Sequence, residues 1–401
     1  MRSEGARRLE WLGQASLSGM TRHEAQAILR PTARGRRSMA EQFRVIDSDT
    51  HVDETDDTWD FILPEDEAYK PTTQYPSNPD PNRPPVRYWL VNGNRKHRRI
   101  RDDGKSGTPL EARELLDVQT RLRHMDELGT QTQVIYPSLF LVEPSDSAET
   151  ELAITRSYNR WLADRCAQSH GRLRWICVPP ARNIEAALEE LRFAKNNGAC
   201  GVLKKGDLEA DKWSVDPYFF PLYEEAERLD MPICFHLGSG TPDFTPAREL
   251  SYGAFIKLRM PAIHGIYSLI LHRVPDKFPK LRFGCIESGV SWVPFVDYDL
   301  RRRLARSQES NIGSDPSFEL PDDIFKANRI YVTVQVDEDL PYALRYISED
   351  NLLAGSDYTH QDQSKELEFQ KLLQQRADDG DIPQSTVDKI LYDNPRAFYG
   401  L

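Results

Sequence analysis

The feature that most constrains the fold is an alternation of short apolar runs with longer amphipathic segments, repeated from residue 45 to the end of the chain. Each apolar run is short and rich in β-branched residues, which is typical of a buried strand. The predicted strands are 45–51, 133–136, 173–178, 201–204, 232–236, 281–286, 330–334 and 352–356. Alternating strands and helices predict a parallel sheet with right-handed crossovers. Eight such units favour a closed (β/α)8 TIM barrel, an α/β fold, over an open doubly wound sheet.

Helical patterns fill the intervals between these strands. Leucine and methionine recur at helical spacing in residues 109–128, and Gly129 is a suitable helix end. Further helices are predicted at 150–169, 184–197, 218–229, 261–272, 292–304, 340–347, 364–375 and 386–392. No glycine-rich phosphate-binding loop follows any of the strands, so the sequence does not support a nucleotide-binding fold.

A long polar stretch, residues 53–108, interrupts the repeat after the first strand. It is rich in Pro, Asp, Asn and Arg and is too long for an ordinary connection between a strand and a helix. In a barrel it would emerge at the face where active sites form, and its apolar residues Tyr88, Trp89 and Leu90 need a packing partner. We therefore predict that this insertion is a lid that covers the site and takes part in the interface of a homo-oligomer, a dimer or a tetramer.

An N-terminal extension, residues 1–42, precedes the barrel, which we place at residues 43–401. The extension is rich in arginine and has no regular apolar pattern. Three interpretations stay open: a transit peptide, a stretch upstream of a translation start at Met39, and an arm that packs on a neighbouring subunit. The several glutamates of the extension count against the transit peptide.

The composition argues against several classes of protein. The formal net charge of the 401 residues is −11, which argues against nucleic acid or an anionic membrane as a partner and leaves a small-molecule substrate. No apolar run approaches the roughly 18 residues that a membrane-spanning helix needs. The five cysteines are scattered and form no CxxC pair, so we expect them to be reduced and buried, as in a cytoplasmic enzyme.

Residue types that bind metal ions recur where the predicted strands end. The first strand ends in Asp49 and His51, whose side chains share one face because strand residues alternate. The fifth, sixth and eighth strands end in His236, Glu287 and Asp357. Since the C-terminal ends of barrel strands meet at one face, these residues are predicted to form a joint site. Their mixed nitrogen and oxygen donors suit Zn²⁺, Mn²⁺ or Fe²⁺.

Six short motifs extend this pattern to about residues 43–400. They are IDSDTH at 46–51, MDELG at 125–129, YPS at 136–138, CFHLG at 234–238, FPKLRF at 278–283 and GSDY at 355–358. With these motifs the chain resembles the amidohydrolase superfamily, in the branch of aminocarboxymuconate semialdehyde decarboxylase and the aromatic acid decarboxylases. The resemblance implies one divalent metal ion, zinc first and manganese or iron as alternatives, bound by Asp49, His51, His236 and Asp357.

The chain departs from the family pattern at two positions. Asp49 stands where the family usually has His or Glu, and Glu287 stands where the decarboxylases have a histidine on the sixth strand. If Asp49, Glu287 and Asp357 were all ionised on one divalent ion, two positive and three negative charges would leave the site with a net charge of −1. We therefore predict that Glu287 stays off the metal and acts as the general base, with Asp357 as the second catalytic candidate.

Three hypotheses of function follow. The leading one is a metal-dependent hydrolase that acts on a small carboxylated or ring-derived substrate through a metal-activated water. The alternative is a nonoxidative decarboxylase of an aromatic or ring-fission carboxylate, which would release CO2 at the same site. The third is a catalytically inactive barrel that serves as a binding protein and holds no stoichiometric metal. Lys204, Trp292 and His360 are the predicted substrate-binding residues, with a structural role as an equal alternative for Lys204.

Overall fold

The structure, a computed structural model, describes residues 44–76, 86–98, 100–238, 255–310 and 319–401. The predicted N-terminal extension therefore lies outside the described residues. Within the described ranges the chain forms an eight-stranded parallel sheet with helices around it and a separate three-stranded antiparallel sheet. The eight parallel strands confirm the predicted (β/α)8 barrel.

The described residues contain eleven strands, which we number along the chain. They are β1 (Ile46–His51), β2 (Thr72–Gln74), β3 (Arg87–Val91), β4 (Asn94–Arg98), β5 (Thr132–Tyr136), β6 (Leu173–Cys177), β7 (Ala199–Lys204), β8 (Ile233–His236), β9 (Phe283–Ile286), β10 (Ile330–Val334) and β11 (Leu352–Ala354). The barrel strands pair in the order β1-β5-β6-β7-β8-β9-β10-β11, each parallel to its neighbour. Sequential order with parallel pairing is what right-handed crossovers produce.

The barrel closes where the residues after β11 meet β1. The backbone N–H of His51 donates to the carbonyl oxygen of Tyr358 at 2.9 Å, and the N–H of Asp357 donates to the carbonyl oxygen of Asp49 at 2.9 Å. Gly355 lies at this seam, and a Cβ added there would approach the Cβ of Asp49 to 2.4 Å. A side chain at position 355 would therefore push apart the two segments that carry Asp49 and Asp357.

In the part of the chain that the structure describes, seven helices of nine or more residues pack outside the barrel: α1 (Val118–Leu128), α2 (Ala148–Ala167), α3 (Ile184–Asn196), α4 (Phe220–Arg228), α5 (Met260–Leu271), α6 (Val293–Ser310) and α7 (Phe369–Asp378). Shorter α-helical turns are Asp103–Ser106, Leu110–Arg113, Val274–Lys277, Ile324–Ala327, Leu340–Ala343, Gln384–Asp388 and Asn394–Tyr399. The 3-10 turns are Asp56–Trp59, Pro64–Tyr69, Leu139–Leu141, Pro217–Phe219 and Glu349–Asn351, and the π-helical turns are Phe255–Arg259 and Lys389–Asp393.

The helix predicted at 109–128 is broken into a short turn and α1. Leu115 adopts a positive φ of 49°, which no helix interior accepts, and Asp117 then caps α1 by accepting the N–H groups of Gln119 and Thr120 at 3.0 and 3.1 Å. Gly129 ends α1 with φ 72°, as predicted. The helical spacing of the leucines continues through Asp117, so the sequence pattern alone did not indicate that a new helix begins there.

The insertion at 53–108, predicted as a polar loop, contains the antiparallel sheet β2-β3-β4. Asn92 and Gly93, both with positive φ, join β3 to β4 in a tight hairpin. An Asn-Gly pair between strands is a strong hairpin signal, so this hairpin could have been predicted from the sequence. Trp89 in β3 is 1% exposed and packs edge-on against Trp59, with ring centroids 5.4 Å apart. The apolar anchor of the insertion is therefore buried within the same chain, and its predicted role in an oligomer stays a prediction.

Candidate metal centre

The first strand positions two of the predicted ligands by its alternation. Asp49 and His51 flank Thr50 at the end of β1, and all of β1 is buried. Asp47, earlier in β1, accepts hydrogen bonds from the N–H and hydroxyl groups of Ser356 at 2.8 and 2.5 Å. This contact ties the segment after β11 to β1 and so fixes Asp357 opposite Asp49.

All five predicted strand-end residues are buried, and we call them the metal cluster: Asp49, His51, His236, Glu287 and Asp357. Their ligand atoms fall into two overlapping groups, each within 4.8 Å: Asp49, His51, His236 and Glu287 form one, and His51, Glu287 and Asp357 form the other together with His360. Nε2 of His51 lies 3.4 Å from Oδ1 of Asp49 and 3.4 Å from Oδ1 of Asp357. Nε2 of His236 lies 3.2 Å from Oδ1 of Asp49 and 3.6 Å from Oε2 of Glu287. Four barrel strands thus contribute nitrogen and oxygen atoms to two overlapping groups that share His51 and Glu287.

Hydrogen bonds on the far side of each imidazole orient both histidines. Nδ1 of His51 lies 2.9 Å from the carbonyl oxygen of Pro137, and Nδ1 of His236 lies 3.0 Å from that of Leu237. A carbonyl oxygen can only accept, so Nδ1 carries the proton in both rings. In the neutral histidines Nε2 then presents a lone pair to the carboxylates, which is the orientation that a metal-binding histidine needs.

Burial and neighbouring charges shift the pKa values of the metal cluster. Burial opposes ionisation of Asp49, but the adjacent His236 outweighs this effect and holds the pKa of Asp49 below its usual range. Burial opposes protonation of His236, yet the charge of Asp49 raises the pKa of that imidazole to about 9. Burial raises the pKa of Glu287 to about 8, and burial together with the charge of Glu287 raises the pKa of Asp357 well above its usual range. The cluster therefore holds more carboxylates than its own side chains can neutralise.

A divalent cation fits this imbalance. Nε2 of His51 is buried and makes no hydrogen bond among the described residues, although two carboxylate oxygens lie 3.4 Å away. Burial lowers the pKa of His51, so a proton at Nε2 is disfavoured there. A lone pair facing two carboxylates needs a cation between them, and mixed imidazole and carboxylate donors are those of a transition-metal or manganese site. The donor set therefore supports the predicted divalent metal site.

A cavity of about 800 Å³ reaches the metal cluster at Glu287. One part of its wall is apolar: Trp89 from β3, Leu139 and Leu141 after β5, Leu237 after β8, and Leu258. These side chains come from the insertion and from loops at the C-terminal ends of strands, which is where a barrel enzyme builds its substrate site. An apolar wall beside a few polar groups is the usual lining of a small-molecule site.

The predicted substrate-binding residues divide into two groups. His360 lines the cavity, its ring stacks on His51 with centroids 3.9 Å apart, and its Nδ1 lies 2.7 Å from Oδ1 of Asp357. Lys204 and Trp292 are not among the cavity-lining residues. Lys204 is buried and paired with Glu209, and Trp292 donates to the carbonyl oxygen of Gly289 at 2.7 Å. The polar groups of both residues bond to the protein itself, which favours the structural alternative given for Lys204, and the substrate role of the two residues stays a prediction.

The cavity also contains positively charged residues that were not predicted from the sequence. Lys96 and Arg98 face it from β4, Arg101 follows that strand, and Arg259 ends the π-helical turn Phe255–Arg259. The first two could have been found from the Asn-Gly hairpin, since residues 96 and 98 share one face of β4. No comparable sequence signal marks Arg259.

Comparison with known proteins places the chain in a family. The family model described as amidohydrolase matches residues 46–401, nearly the whole of the described chain. The chain belongs to the amidohydrolase family. Among its curated relatives, the gamma-resorcylate decarboxylase of Rhodococcus jostii (strain RHA1) is 34% identical over 137 residues. That match spans 32% of this chain and 41% of the length of the relative.

Two solved structures illustrate the shared fold. An amidohydrolase from Mycobacterium avium subsp. paratuberculosis K-10 superposes with a TM-score of 0.70 and 21% identity, covering 90% of this chain and 98% of that one. A dihydroxybenzoic acid decarboxylase from Polaromonas sp. JS666, with bound manganese and the inhibitor 2-nitroresorcinol, superposes with a TM-score of 0.57 and 20% identity. That match covers 75% of this chain and 92% of the decarboxylase.

These findings correct one prediction and leave others as they were. The prediction of a hydrolase is wrong, because the curated relatives are gamma-resorcylate decarboxylases and solved structures with this fold include dihydroxybenzoate decarboxylases. The alternative, a decarboxylase, is the better supported of the hypotheses. Zinc as the particular metal stays a prediction. Among the described residues, no helix combines the length and the hydropathy that crossing a membrane requires.

Proposed function

We propose that the protein is a metal-dependent nonoxidative decarboxylase of a small aromatic carboxylic acid. The observation that carries this proposal is the placement of an apolar cavity wall beside a buried cluster of histidines and carboxylates. The wall suits the ring, and the cluster suits the charged end of the substrate. Similarity to gamma-resorcylate decarboxylases supports the same reaction.

The residues that would hold the metal are Asp49, His51, His236 and Asp357. His51 and His236 direct Nε2 toward Oδ1 of Asp49, while their Nδ1 atoms are fixed by backbone carbonyl groups. When bound, a divalent ion would supply the positive charge that attracts the carboxylate end of the substrate to these residues. Zinc, our first prediction, and manganese, the metal of the Polaromonas structure, are the two ions to compare.

The cavity residues would orient the ring and exclude water from it. Leu139, Leu237 and Trp89 supply apolar contacts at the mouth of the metal cluster. Charge is the opposing factor, since an anionic substrate approaches Asp49, whose carboxyl group stays ionised. Two like charges 4 Å apart repel by about 4 kcal/mol at an effective dielectric constant near 20. The positive residues of the cavity would offset this repulsion.

Glu287 would supply the proton that replaces the lost carboxylate. Cleavage of the bond between the ring and the carboxylate releases CO2 and leaves an electron pair on the ring carbon, which must take up one proton. Glu287 follows β9, is 5% exposed and faces both the cavity and His236. As a carboxylic acid it would donate that proton and recover one from solvent in the next cycle. Asp357, whose Oδ1 lies 3.4 Å from Nε2 of His51, would be a metal ligand.

The test is product analysis on the metal-loaded enzyme. Protein loaded with Mn²⁺ or Zn²⁺ would be incubated in D2O with 2,6-dihydroxybenzoate, 5-carboxyvanillate and related hydroxyaryl acids. We expect release of CO2 and one deuterium atom on the ring carbon that carried the carboxylate. Absence of CO2 from every acid in the panel, with full metal content, would contradict the proposed reaction.

A further inference from the structure

A buried, positively charged side chain contacts the backbone of the metal cluster. Arg121, on α1, is 0% exposed. Among the described residues it forms no ion pair, and its hydrogen bonds go to uncharged groups: the side chain of Gln133 and the carbonyl oxygens of His51 and Ala112. Burying a guanidinium group without an opposite charge is costly, so its position must be explained by the contacts that it does make.

The hydrogen bonds of Arg121 fix the strand that carries Asp49 and His51. Nη1 of Arg121 donates to the carbonyl oxygen of His51, the last residue of β1, at 3.0 Å. Nε of Arg121 donates to Oε1 of Gln133 at 2.7 Å, and Nε2 of Gln133 donates to Oδ2 of Asp47 at 3.3 Å. One guanidinium group therefore holds β1 near both of its ends, directly at His51 and through Gln133 at Asp47.

The ring contact of Arg121 fixes the segment that carries Asp357. The guanidinium carbon lies 3.9 Å from the centroid of the Tyr358 ring, and a cation over a buried aromatic ring is attracted to it. Tyr358 directly follows Asp357, whose positive φ of 51° is a strained conformation that persists only where surrounding contacts hold it. The carbonyl oxygen of Tyr358 also accepts the N–H of His51 at 2.9 Å. Arg121 thus contacts both sides of the seam that closes the barrel.

We propose that Arg121 is a positioning residue of the metal centre, which keeps His51 and Asp357 in register by binding the His51 carbonyl group and the Tyr358 ring at once. The inference rests on the proposed function, because it takes His51 and Asp357 as metal ligands. Nε2 of His51 and Oδ1 of Asp357 lie 3.4 Å apart and come from the two segments that Arg121 joins. Metal ligands must be held within about 0.5 Å of their binding geometry, so a small shift of either segment weakens the site.

The sign of the change in metal affinity separates this role from an effect of charge. Arg121 is a cation, and like charges repel, so loss of its charge alone would strengthen the binding of a divalent ion nearby. Loss of positioning would weaken that binding instead. A purely structural role would lower the stability of the fold and leave the affinity of the folded protein for the ion unchanged.

The experiment measures Co²⁺ binding to the full-length protein without turnover. The wild type, Arg121→Met and Arg121→Lys would be titrated with Co²⁺ against a competing chelator, and the visible absorption spectrum of bound cobalt would report its coordination. We expect Arg121→Met to lose about 10- to 100-fold in affinity, the usual cost of removing an outer contact of a metal ligand, and to change the spectrum. Arg121→Lys should recover part of the loss, because it keeps the charge but lacks the planar fork of donors.

Arg123→Met is the matched control, since it removes an equal charge from an exposed position on the same helix, where Arg123 contacts Thr120 and Asp117. Its affinity and spectrum should equal those of the wild type. Unchanged or stronger cobalt binding by folded Arg121→Met would overturn the proposal. If circular dichroism shows that Arg121→Met does not fold, Arg121→Lys decides the question: weaker binding with an altered spectrum supports positioning, and wild-type binding overturns it.

The two proposals can fail separately. If the wild type binds cobalt and the Arg121 variants bind it equally well, the metal site stands and the positioning role fails. If cobalt binding depends on Arg121 but no aromatic acid releases CO2, the decarboxylase assignment fails and the positioning role stands. If the folded wild type binds no divalent ion, the ligand set and the positioning role fail together.

Discussion

Two buried groups of charged residues lie at the C-terminal ends of barrel strands, and they differ in whether their charges are satisfied. The metal cluster lies at β1, β8, β9 and β11. The second group, which we call the lysine cluster, follows β7 and consists of Lys204, Lys205 and Glu209. Lys204 is paired with Glu209 and lies 3.8 Å from the centroid of the Phe219 ring, and Lys205 donates to Glu209 at 3.1 Å.

In the lysine cluster the carboxylate is fully compensated by side chains of the protein, whereas in the metal cluster the carboxylates are not. The ammonium groups of Lys204 and Lys205 both contact the Glu209 carboxylate, so its charge is compensated on both oxygens. In the metal cluster, Nε2 of His51 is buried without a hydrogen bond among the described residues and faces two carboxylates. A buried charged group that is unsatisfied and opens to a cavity indicates a ligand, and one that is satisfied indicates a structural role.

The largest expected effect comes from removing a neutral ligand of the metal cluster. His236→Ala should lower metal affinity and activity together by more than about 10²-fold, since even the outer contacts of a metal ligand are worth 10- to 100-fold. Metal analysis after dialysis and the rate of CO2 release measure this. His264→Ala is the control, because that exposed histidine lies on α5 and interacts with Ser268. Full metal and full rate in His236→Ala would remove His236 from the ligand set.

Glu287→Gln should show whether Glu287 transfers a proton or binds the metal. The amide keeps the size of the side chain but cannot donate a carboxylic proton, so metal content should persist and the rate should fall by about 10²–10⁴-fold. The pH dependence of the rate should also lose the ionisation that Glu287 contributes. Parallel titrations of metal content and CO2 release measure both. If metal is lost in step with the rate, Glu287 is a metal ligand, and Asp357 and His360 become the next candidates for proton transfer.

The sequence predicted the barrel and the position of the metal cluster because both depend on local patterns. β-branched runs mark buried strands, and Asp49, His51, His236, Glu287 and Asp357 stand at their ends. It left the role of Lys204, which also ends a strand, open between substrate binding and structure. Its role depends on Glu209, five residues later, folding back onto it within the protein. The cavity location of Arg259 likewise depends on long-range packing that no local pattern reports.

Lys204→Met tests whether the lysine cluster stabilises the fold without taking part in substrate binding. The substitution removes one of the two cations that neutralise Glu209, and breaking a buried ion pair costs about 3 kcal/mol of the free energy of unfolding. Denaturant titration measures this. Activity per folded, metal-loaded molecule should change little, because Lys204 does not line the cavity. The control is Lys371→Met, which removes an exposed ion pair with Glu368 and should matter far less. If the variant is as stable as the wild type but binds substrate less tightly, Lys204 is a substrate-binding residue.

The smallest expected effect is the pH dependence that the lysine cluster gives to stability. Burial opposes ionisation of Glu209, but Lys204 and Lys205 outweigh it and hold the pKa of Glu209 at about 2, below its ordinary 4.5. A carboxylate whose pKa is lower in the folded state stabilises the fold fully above the unfolded pKa, and this stabilisation is lost as the pH falls toward the folded pKa. Between pH 6 and pH 3 the loss amounts to about 2 kcal/mol, since one pKa unit corresponds to about 1.4 kcal/mol.

Glu209→Gln isolates this contribution, because an amide does not titrate. The free energy of unfolding would be measured by denaturant titration at several pH values between 6 and 3 for the wild type and the variant. We expect the wild type to be more stable at pH 6 and the difference to narrow by about 2 kcal/mol by pH 3. The metal cluster titrates in both proteins, so its acid sensitivity cancels in the difference. Two curves that stay parallel would show that Glu209 ionises alike in the folded and unfolded chain, and the two clusters would then not differ as the structure indicates.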